Sequence, residues 1–256
     1  MKLQGKVAVI TGGSKGIGLG CARVFAKYGC TVVIAARGQD AGKAAEKELT
    51  DAGHNALFVR CDVASEQDMR STIDQAAQRF GRLDCIVNNA GWHPPEMTID
   101  LITVPDFEQL LRWNLTSTFM GCKFAVPHLR KTRGSIINMT SVVGLLGQGE
   151  ACSYAATKAG QIGLTKALAL DLAPDGVRVN AVGPAAVMTP LVQEWADRQP
   201  DPNAALQEAD KVHPIGRMAT IEEIGEVCAF LASDEASFVT GQVLYPDGGV
   251  MLGYRR

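Results

Sequence analysis

Short apolar runs that alternate with helical stretches restrict the fold of this chain more than any other feature. The first two runs, Val7–Thr11 and Thr31–Ala35, are rich in β-branched residues, and helical patterns over 17–28 and 41–52 follow them. Nearly continuous apolar runs are typical of parallel strands that helices cover on both faces. The pattern therefore predicts an α/β fold, with a doubly wound parallel sheet between two layers of helices.

The same alternation continues along the rest of the chain. Further strands are predicted at 56–60, 83–88, 135–140, 177–182 and 242–245, and further helices at 66–80, 105–129, 153–172 and 221–232. No linker or change in composition divides the chain, so we predict a single domain over residues 1–256. Segment 183–218 has five prolines and no visible strand. Long loops in compact domains often close over ligands, so we expect a substrate lid there.

Composition and charge argue against several classes of protein. The 25 Lys and Arg residues nearly balance the 27 Asp and Glu residues, and no block of like charge is present, so we expect no nucleic-acid partner. The longest uncharged stretch, 134–149, is too short and too polar to span a membrane. No signal peptide begins the sequence, so we expect a cytoplasmic protein that does not associate with membranes. The seven cysteines and four histidines lack metal-ligand spacing, so we expect no metal.

A glycine-rich turn follows the first predicted strand and opens the first predicted helix. Its sequence over residues 11–18 is TGGSKGIG. Glycines at this place let the backbone approach a phosphate closely, and the helix N-terminus offers N–H groups to a pyrophosphate. The turn predicts a dinucleotide site, whose candidate residues here are Gly12, Ser14, Lys15, Gly16, Ile17 and Gly18.

The end of the second predicted strand indicates which dinucleotide is bound. Sites for NAD place a carboxylate there, whereas sites for NADP place a cation for the 2′-phosphate. Arg37 follows this strand, and no carboxylate comes before Asp40. Arg37 can form a fork with a phosphate, and Lys15 can add a second positive charge. The sequence thus favours NADP(H), with NAD(H) as the alternative.

A tyrosine and a lysine lie four residues apart near the start of the predicted helix 153–172. Tyr154 and Lys158 emerge on one helix face, and an ammonium near a phenol favours the phenolate, which can act as a base. Ser141 lies at the end of the fifth predicted strand, where open α/β sheets bind ligands. Asn114 lies inside the predicted helix 105–129, and its amide can interrupt that helix locally.

Taken together, TGxxxGxG, Asn88-Asn89-Ala90-Gly91, Asn114, Ser141 and Tyr154-x-x-x-Lys158 resemble the short-chain dehydrogenase/reductase family. The resemblance implies a Rossmann sheet of seven parallel strands, usually assembled as a homotetramer. It also implies that Tyr154 is the acid/base and that Lys158 lowers the pKa of Tyr154 and holds the nicotinamide ribose. Ser141 would position the substrate oxygen, and Asn114 would support a water linked to Lys158.

The resemblance extends to further cofactor contacts. The implied residues are Asp62 and Val63 near adenine, Asn88, Ala90 and Gly91 near the nicotinamide ribose, and Pro184, Val187 and Thr189 near the nicotinamide. The family usually has Pro-Gly after the sixth strand, but here Ala185 follows Pro184. Because alanine is small, we expect this departure to preserve catalysis.

Several stretches resemble one branch of the family, which includes 17β-hydroxysteroid dehydrogenase type 14 and L-fucose and related sugar dehydrogenases. The stretches are 88–95, 145–149, 200–202, 216–218 and 252–254. Three side chains predict a polar substrate pocket, His93, Gln148 and Glu150, and a fourth candidate substrate residue, Trp195, lies in the expected lid. Buried substrate hydroxyls need hydrogen-bond partners, which polar side chains supply and mostly apolar pockets lack.

Three functions are compatible with these residues. The favoured one is NADP-dependent oxidation of the anomeric hydroxyl of an aldose such as L-fucose, which gives a lactone. The second is a 3-oxoacyl or hydroxysteroid reductase or dehydrogenase. The third is a non-catalytic protein that senses the cofactor, and the intact Tyr154, Lys158, Ser141 and Asn114 argue against it.

Overall fold

The computed structural model describes residues 1–252, so Gly253 and Tyr254 of the branch-like ending lie outside the described residues. Its strands are β1 (Val7–Thr11), β2 (Thr31–Ala36), β3 (Ala56–Arg60), β4 (Cys85–Asn88), β5 (Ser135–Met139), β6 (Arg178–Val182) and β7 (Val243–Leu244). Its α-helices are α1 (Gly16–Lys27), α2 (Gln39–Asp51), α3 (Glu66–Phe80), α4 (Val104–Leu111), α5 (Ser117–Thr132), α6 (Val143–Leu146), α7 (Cys152–Leu172), α8 (Pro190–Ala196), α9 (Pro202–Lys211) and α10 (Ile221–Ala232).

The seven strands form one parallel sheet in the order β3-β2-β1-β4-β5-β6-β7. This confirms the predicted seven-stranded α/β fold. The order reverses between β1 and β4, which is the switch point where sheets of this kind bind ligands at the carboxyl ends of the strands. The polar motifs of the sequence follow β1, β4 and β5, so the topology brings them to the same edge.

Two apolar cores lie on the two faces of the sheet. On one face, Phe25 of α1 and Ile224 of α10 pack with Ile10 and Ile34 of the sheet. On the other face, Ile73 of α3 and Leu129 of α5 pack with other strand side chains, such as Ile136. The near-continuous apolar character of β1 follows from this arrangement, because all five of its residues are buried.

The predicted irregular segment 183–218 contains two helices, which corrects our reading of it as a loop. The caps of α8 and α9 are Thr189 and Asp201, whose side chains accept hydrogen bonds from Val192 N and Ala204 N. Each cap precedes a proline at the first helical position, where a fixed φ and a missing N–H favour helix initiation. Two of the prolines therefore start helices instead of marking a loop.

The predicted long helix 105–129 is interrupted as Asn114 suggested. Residues Arg112–Thr116 form one π-helical turn between α4 and α5, in which Ser117 N donates to Arg112 O. Such turns are rare and often lie at functional sites. Asn114 is fully buried in the middle of this turn, so the turn aims a polar side chain into the interior.

Two further features of the described residues concern membrane spans and metal sites. Within residues 1–252, no helix has the length and apolar character needed to cross a membrane. Among the same residues, no group of three or more His, Cys, Asp or Glu side chains is placed to hold a metal ion.

Candidate active site

Tyr154, Lys158 and Ser141 meet at the carboxyl edge of the sheet. The Ser141 side chain lies beside the Tyr154 phenol and lowers the pKa of that phenol. Lys158 lies one turn after Tyr154 on α7, and its Nζ is 5.5 Å from the centre of the tyrosine ring. The same Nζ donates to Met139 O at 2.8 Å, at the end of β5. The helix and the strand end together place all three side chains in one cluster.

Burial governs the charge state of this pair. Burial raises the pKa of Tyr154 to about 12, and the hydrogen bond from Ser141 opposes that rise. Burial also lowers the pKa of Lys158 to about 8. The direction for Tyr154 is thus opposite to the lowering by Lys158 that the resemblance implies. Desolvation disfavours the charged form of each side chain.

Asn114 connects the π-helical turn to the loop that follows β4. Its Oδ1 accepts from Trp92 N at 2.9 Å, and its Nδ2 donates to Trp92 O at 2.9 Å and to Thr157 Oγ1 at 3.2 Å. A Cβ added at Gly91 would lie 3.2 Å from Asn114 Oδ1 and 3.7 Å from Lys158 Nζ. The amide thus holds residues 91 and 92 beside Lys158.

His93 lies directly against the proposed acid/base. Its ring centre is 4.3 Å from that of Tyr154, with the two planes inclined by 50°. His93 Nδ1 contacts Pro94 O at 2.6 Å. Because a carbonyl can only accept, Nδ1 carries the hydrogen, and Nε2 remains available as an acceptor when the ring is neutral. The structure thus brings this predicted substrate residue into contact with the Tyr154 ring.

The glycine-rich turn is held by an asparagine to which the sequence analysis gave no role. Asn89 Nδ2 donates to Thr11 O at 2.9 Å and to Gly12 O at 3.4 Å. A Cβ added at Gly18 would lie 2.2 Å from Gly12 O and 2.6 Å from Asn89 Nδ2, so no larger residue fits there. Gly12 has a φ of +65°, which favours glycine. Asn89 belongs to the Asn88-Asn89-Ala90-Gly91 motif, but its position in the sequence did not indicate a hydrogen bond to the glycine-rich turn.

The N-terminus of α1 is suited to a pyrophosphate. Lys15 occupies the cap position without a side-chain hydrogen bond, and the first turn has no acidic residue. Side chains do cap α3, α4, α8, α9 and α10. The first N–H groups of α1 are thus left without a side-chain acceptor, as an anion site requires. Thr189 lies over this turn, because a Cβ at Gly16 would be 3.5 Å from Thr189 Cγ2.

The remaining cofactor candidates lie on several segments around the cleft. Ser14, Ala90 and Pro184 belong to loops, Ile17 lies in the first turn of α1, and the cations Lys15 and Arg37 are exposed. Asp62 and Val63 follow β3, and Asp62 Oδ1 accepts from Ala64 N at 3.0 Å. Val187 is buried and pairs with Ala219 in a short parallel bridge.

The Asn88 side chain is turned away from the cleft. Its Nδ2 donates to Asn138 Oδ1 at 2.9 Å and contacts Cys122 Sγ at 3.4 Å. A Cβ added at Gly121 would lie 2.0 Å from Asn88 Oδ1. The side chain therefore points between the sheet and α5, so a contact of Asn88 with the cofactor would have to come from its backbone and stays a prediction.

Three predicted substrate residues have described contacts away from Tyr154. Gln148 Nε2 donates to Glu96 Oε1 at 3.4 Å, and both residues are exposed. Glu150 is exposed, and its backbone O accepts from Met97 N at 2.7 Å. Trp195 of α8 is 42% exposed. Only His93 among the predicted substrate residues has a described contact with the catalytic cluster.

Comparisons with known proteins indicate the family of this chain. A family model described as enoyl-(acyl carrier protein) reductase matches residues 12–251. The L-fucose dehydrogenase of Oryctolagus cuniculus is 49% identical over 98% of this chain and 87% of its own length. The 3-oxoacyl-[acyl-carrier-protein] reductase FabG of Thermotoga maritima is 36% identical over 98% of this chain and its full length. The crystal structure of Cj0485 dehydrogenase has a TM-score of 0.92, with 36% identity, and the match covers 99% of this chain and 96% of that one.

Proposed function

This chain belongs to the short-chain dehydrogenase/reductase family, and we propose that it oxidises the anomeric hydroxyl of an aldose such as L-fucose to the lactone. Membership makes it an oxidoreductase that acts on CH–OH groups with a nicotinamide cofactor. The aldose assignment is supported chiefly by the 49% identity with an L-fucose dehydrogenase over nearly the whole chain. The site itself adds a polar acceptor, His93 Nε2, beside the acid/base.

In the proposed reaction the substrate loses a hydride to the cofactor and a proton to Tyr154. The bound nicotinamide supplies the acceptor for the hydride that leaves C1. Tyr154 accepts the proton of the anomeric hydroxyl, so that the C1–O bond becomes a carbonyl and the product is the lactone. Ser141 donates a hydrogen bond to the same oxygen and keeps it within reach of the phenol. The positive charge of Lys158 favours the phenolate once ligands complete the site.

We propose NADP as the preferred cofactor. Arg37 directly follows β2, and its exposed guanidinium is free to meet a 2′-phosphate, with Lys15 in the neighbouring turn. We expect Arg37→Asp to weaken NADPH binding by about tenfold or more, because a charge-assisted hydrogen bond contributes about 1.5–3 kcal/mol. NAD binding should be retained. Fluorescence titration of both cofactors measures the change.

Arg79→Asp is the matched control, since it makes the same charge reversal on an exposed residue in the last turn of α3. An Arg37→Asp variant with an unaltered preference between the two cofactors would refute the assignment of NADP.

The position of His93 leads to a prediction about substrate affinity. We expect His93→Ala to raise KM for L-fucose by about tenfold, because a substrate hydroxyl loses its acceptor. Gln148→Ala should have a smaller effect, because the Gln148 amide bonds the exposed Glu96. His128→Ala serves as control, since that ring bonds Asp74 on α3. Steady-state kinetics with KM unchanged in His93→Ala would place this ring outside the substrate pocket.

A 3-oxoacyl or hydroxysteroid substrate is the second candidate. It is favoured by the matching family model and by the 36% identity with a 3-oxoacyl reductase. A panel of aldoses, 3-oxoacyl thioesters and hydroxysteroids, each tested with both cofactors, separates the two candidates. Activity confined to the acyl or steroid substrates would reject the aldose proposal.

Four expectations from the sequence stay predictions. They are the single domain over residues 1–256, the role of segment 183–218 as a substrate lid, assembly as a homotetramer, and a cytoplasmic location without a nucleic-acid partner. Analytical ultracentrifugation of the purified protein tests the homotetramer directly.

A further inference from the structure

A glutamine that the mechanism does not use is buried beside the catalytic cluster. Gln161 lies on α7, three residues after Lys158, and is completely buried. Its Nε2 donates to Asn114 O at 3.0 Å and to Thr118 Oγ1 at 2.7 Å. Both hydrogens of the amide are therefore used on the segment that carries the π-helical turn.

The bonds of Gln161 form a closed triangle around one carbonyl. Thr118 Oγ1 accepts from Gln161 and itself donates to Asn114 O at 2.8 Å. Two side-chain donors thus converge on the carbonyl of Asn114, within the turn Arg112–Thr116. A π-helical turn departs from the regular bonding of the helices on either side, and extra donors can fix its geometry. Gln161 ties this turn to the helix of Tyr154 and Lys158.

Asn114 connects this restrained carbonyl to the residues beside Tyr154. Its backbone is fixed by Gln161 and Thr118, whereas its amide brackets the backbone of Trp92 through both Trp92 N and Trp92 O. His93, the next residue, lies on the Tyr154 ring. A shift of the Asn114 backbone would move Trp92 and His93 relative to the acid/base.

Gln161 also carries a cost that a purely apolar residue would avoid. Its Oε1 is buried and has no hydrogen-bond partner among the described residues. A buried polar atom without a partner destabilises the fold, because it loses its hydrogen bonds to water. An apolar side chain of similar size would fill the same space without that cost, so the benefit of glutamine is the geometry that its two donors impose.

We infer that Gln161 is a positioning residue, which fixes the Asn114 carbonyl and thereby holds Trp92 and His93 in register with Tyr154 and Lys158. The inference rests on the proposed function for its effect on turnover, because Tyr154 and His93 have their roles there. The placement of Trp92 is independent of any substrate.

The test replaces Gln161 with methionine, which keeps the length of the side chain and removes both donors. We expect kcat for aldose oxidation to fall by about tenfold or more, since a small misplacement of reacting groups reduces the rate strongly. The dissociation constant for NADPH should be unchanged, and the melting temperature should not fall. Thr165→Val is the matched control, because the Thr165 hydroxyl donates to the backbone O of Gln161 at 2.8 Å and accepts from Asn138 Nδ2 at 2.9 Å, but has no described hydrogen bond to Asn114.

Tryptophan fluorescence makes the test independent of the substrate. Trp92 packs edge-on against Trp113, with ring centres 5.6 Å apart, and is 44% exposed. We expect the emission to shift in Gln161→Met, to remain unchanged in Thr165→Val, and to be insensitive to Gln161→Met when Trp92 is already phenylalanine. An emission shift without aldose turnover by the wild type would reject the proposed substrate and keep the inference.

Gln161→Glu provides a second variant, whose effect depends on pH. A protonated carboxyl can donate to Asn114 O, whereas a carboxylate repels that carbonyl. We expect its kcat, relative to the wild type, to fall as pH rises. Wild-type kcat and emission in Gln161→Met, or a pH profile of Gln161→Glu parallel to the wild type, would overturn the inference.

Discussion

Replacing Tyr154 with phenylalanine is expected to lower turnover by about 10³-fold, since general acid–base catalysis by a positioned side chain typically contributes about 10²–10⁴-fold. The fold should be preserved. In this variant Ser141 Oγ no longer has a phenol oxygen beside it. The hydroxyl still accepts from Val143 N at 3.2 Å and lies 3.5 Å from Pro184 O. The phenylalanine ring keeps its contact with His93, and the glycine-rich turn is untouched. Cofactor binding should therefore persist while the reaction stops.

Tyr28→Phe is the matched control for this experiment. It also removes one phenol oxygen, which bonds Glu226 at 2.7 Å on the outer side of α1 and α10. Turnover numbers and NADPH titrations of both variants give the comparison. Wild-type turnover by Tyr154→Phe would refute the proposed chemistry, and equal losses in the two variants would attribute the effect to stability.

Replacing Lys158 with methionine should remove turnover by a similar factor and yet not destabilise the protein at pH 7. Burial lowers the pKa of Lys158 from its ordinary value of 10.5 to about 8. The folded state therefore disfavours the charged lysine by about 3 kcal/mol, at about 1.4 kcal/mol for each pKa unit. Methionine avoids this cost and loses only the bond to Met139 O.

The sign of the pH dependence follows from proton linkage. Below about pH 8 both the folded and the unfolded chain hold the Lys158 proton, so the full cost is present in the wild type. Between about pH 8 and 10.5 the unfolded chain binds more protons than the folded one, so the wild type gains stability relative to the variant as pH rises. Urea unfolding of both proteins at pH 7 and pH 10 measures this change.

Lys166→Met is the control for the Lys158 prediction, because Lys166 is an exposed lysine on the same helix. Its stability relative to the wild type should show no such dependence on pH. A Lys158→Met variant that is several kcal/mol less stable than the wild type at pH 7 would show that this lysine is mainly structural. Full turnover by the same variant would remove it from the reaction.

The positions of the strands and of most helices could be predicted from the sequence, because they depend on local residue patterns. Strand β3 and helices α3 and α10 begin and end at the predicted residues. Helices α8 and α9 were missed because their prolines were taken as loop residues, although proline also favours the first position of a helix. The four-residue helix α6 is too short for any periodic pattern to reveal.

The proximity of three site residues could be predicted from topology, because Ser141 ends a strand and Tyr154 and Lys158 share one helix face. Their roles, and their grouping with Asn114, came from the family resemblance and stay predictions. The roles of Asn89 and Gln161 were not predictable, since each depends on which atoms a folded amide meets. The inward orientation of Asn88 depends on the pleat of β4, and the high pKa of Tyr154 depends on burial, which spacing cannot report.

The reversal of strand order between β1 and β4 separates the residues predicted to select the cofactor from those proposed to bind the substrate. The predicted contacts that choose between NADP and NAD lie before residue 64, on loops after β1, β2 and β3. The residues proposed to meet the substrate lie after residue 90, on the segments that follow β4, β5 and β6. Mutations that change the cofactor are therefore expected in a different stretch of the gene from those that change the substrate. Natural selection, or a designer who recombines two homologues at this boundary, can alter one trait and keep the other.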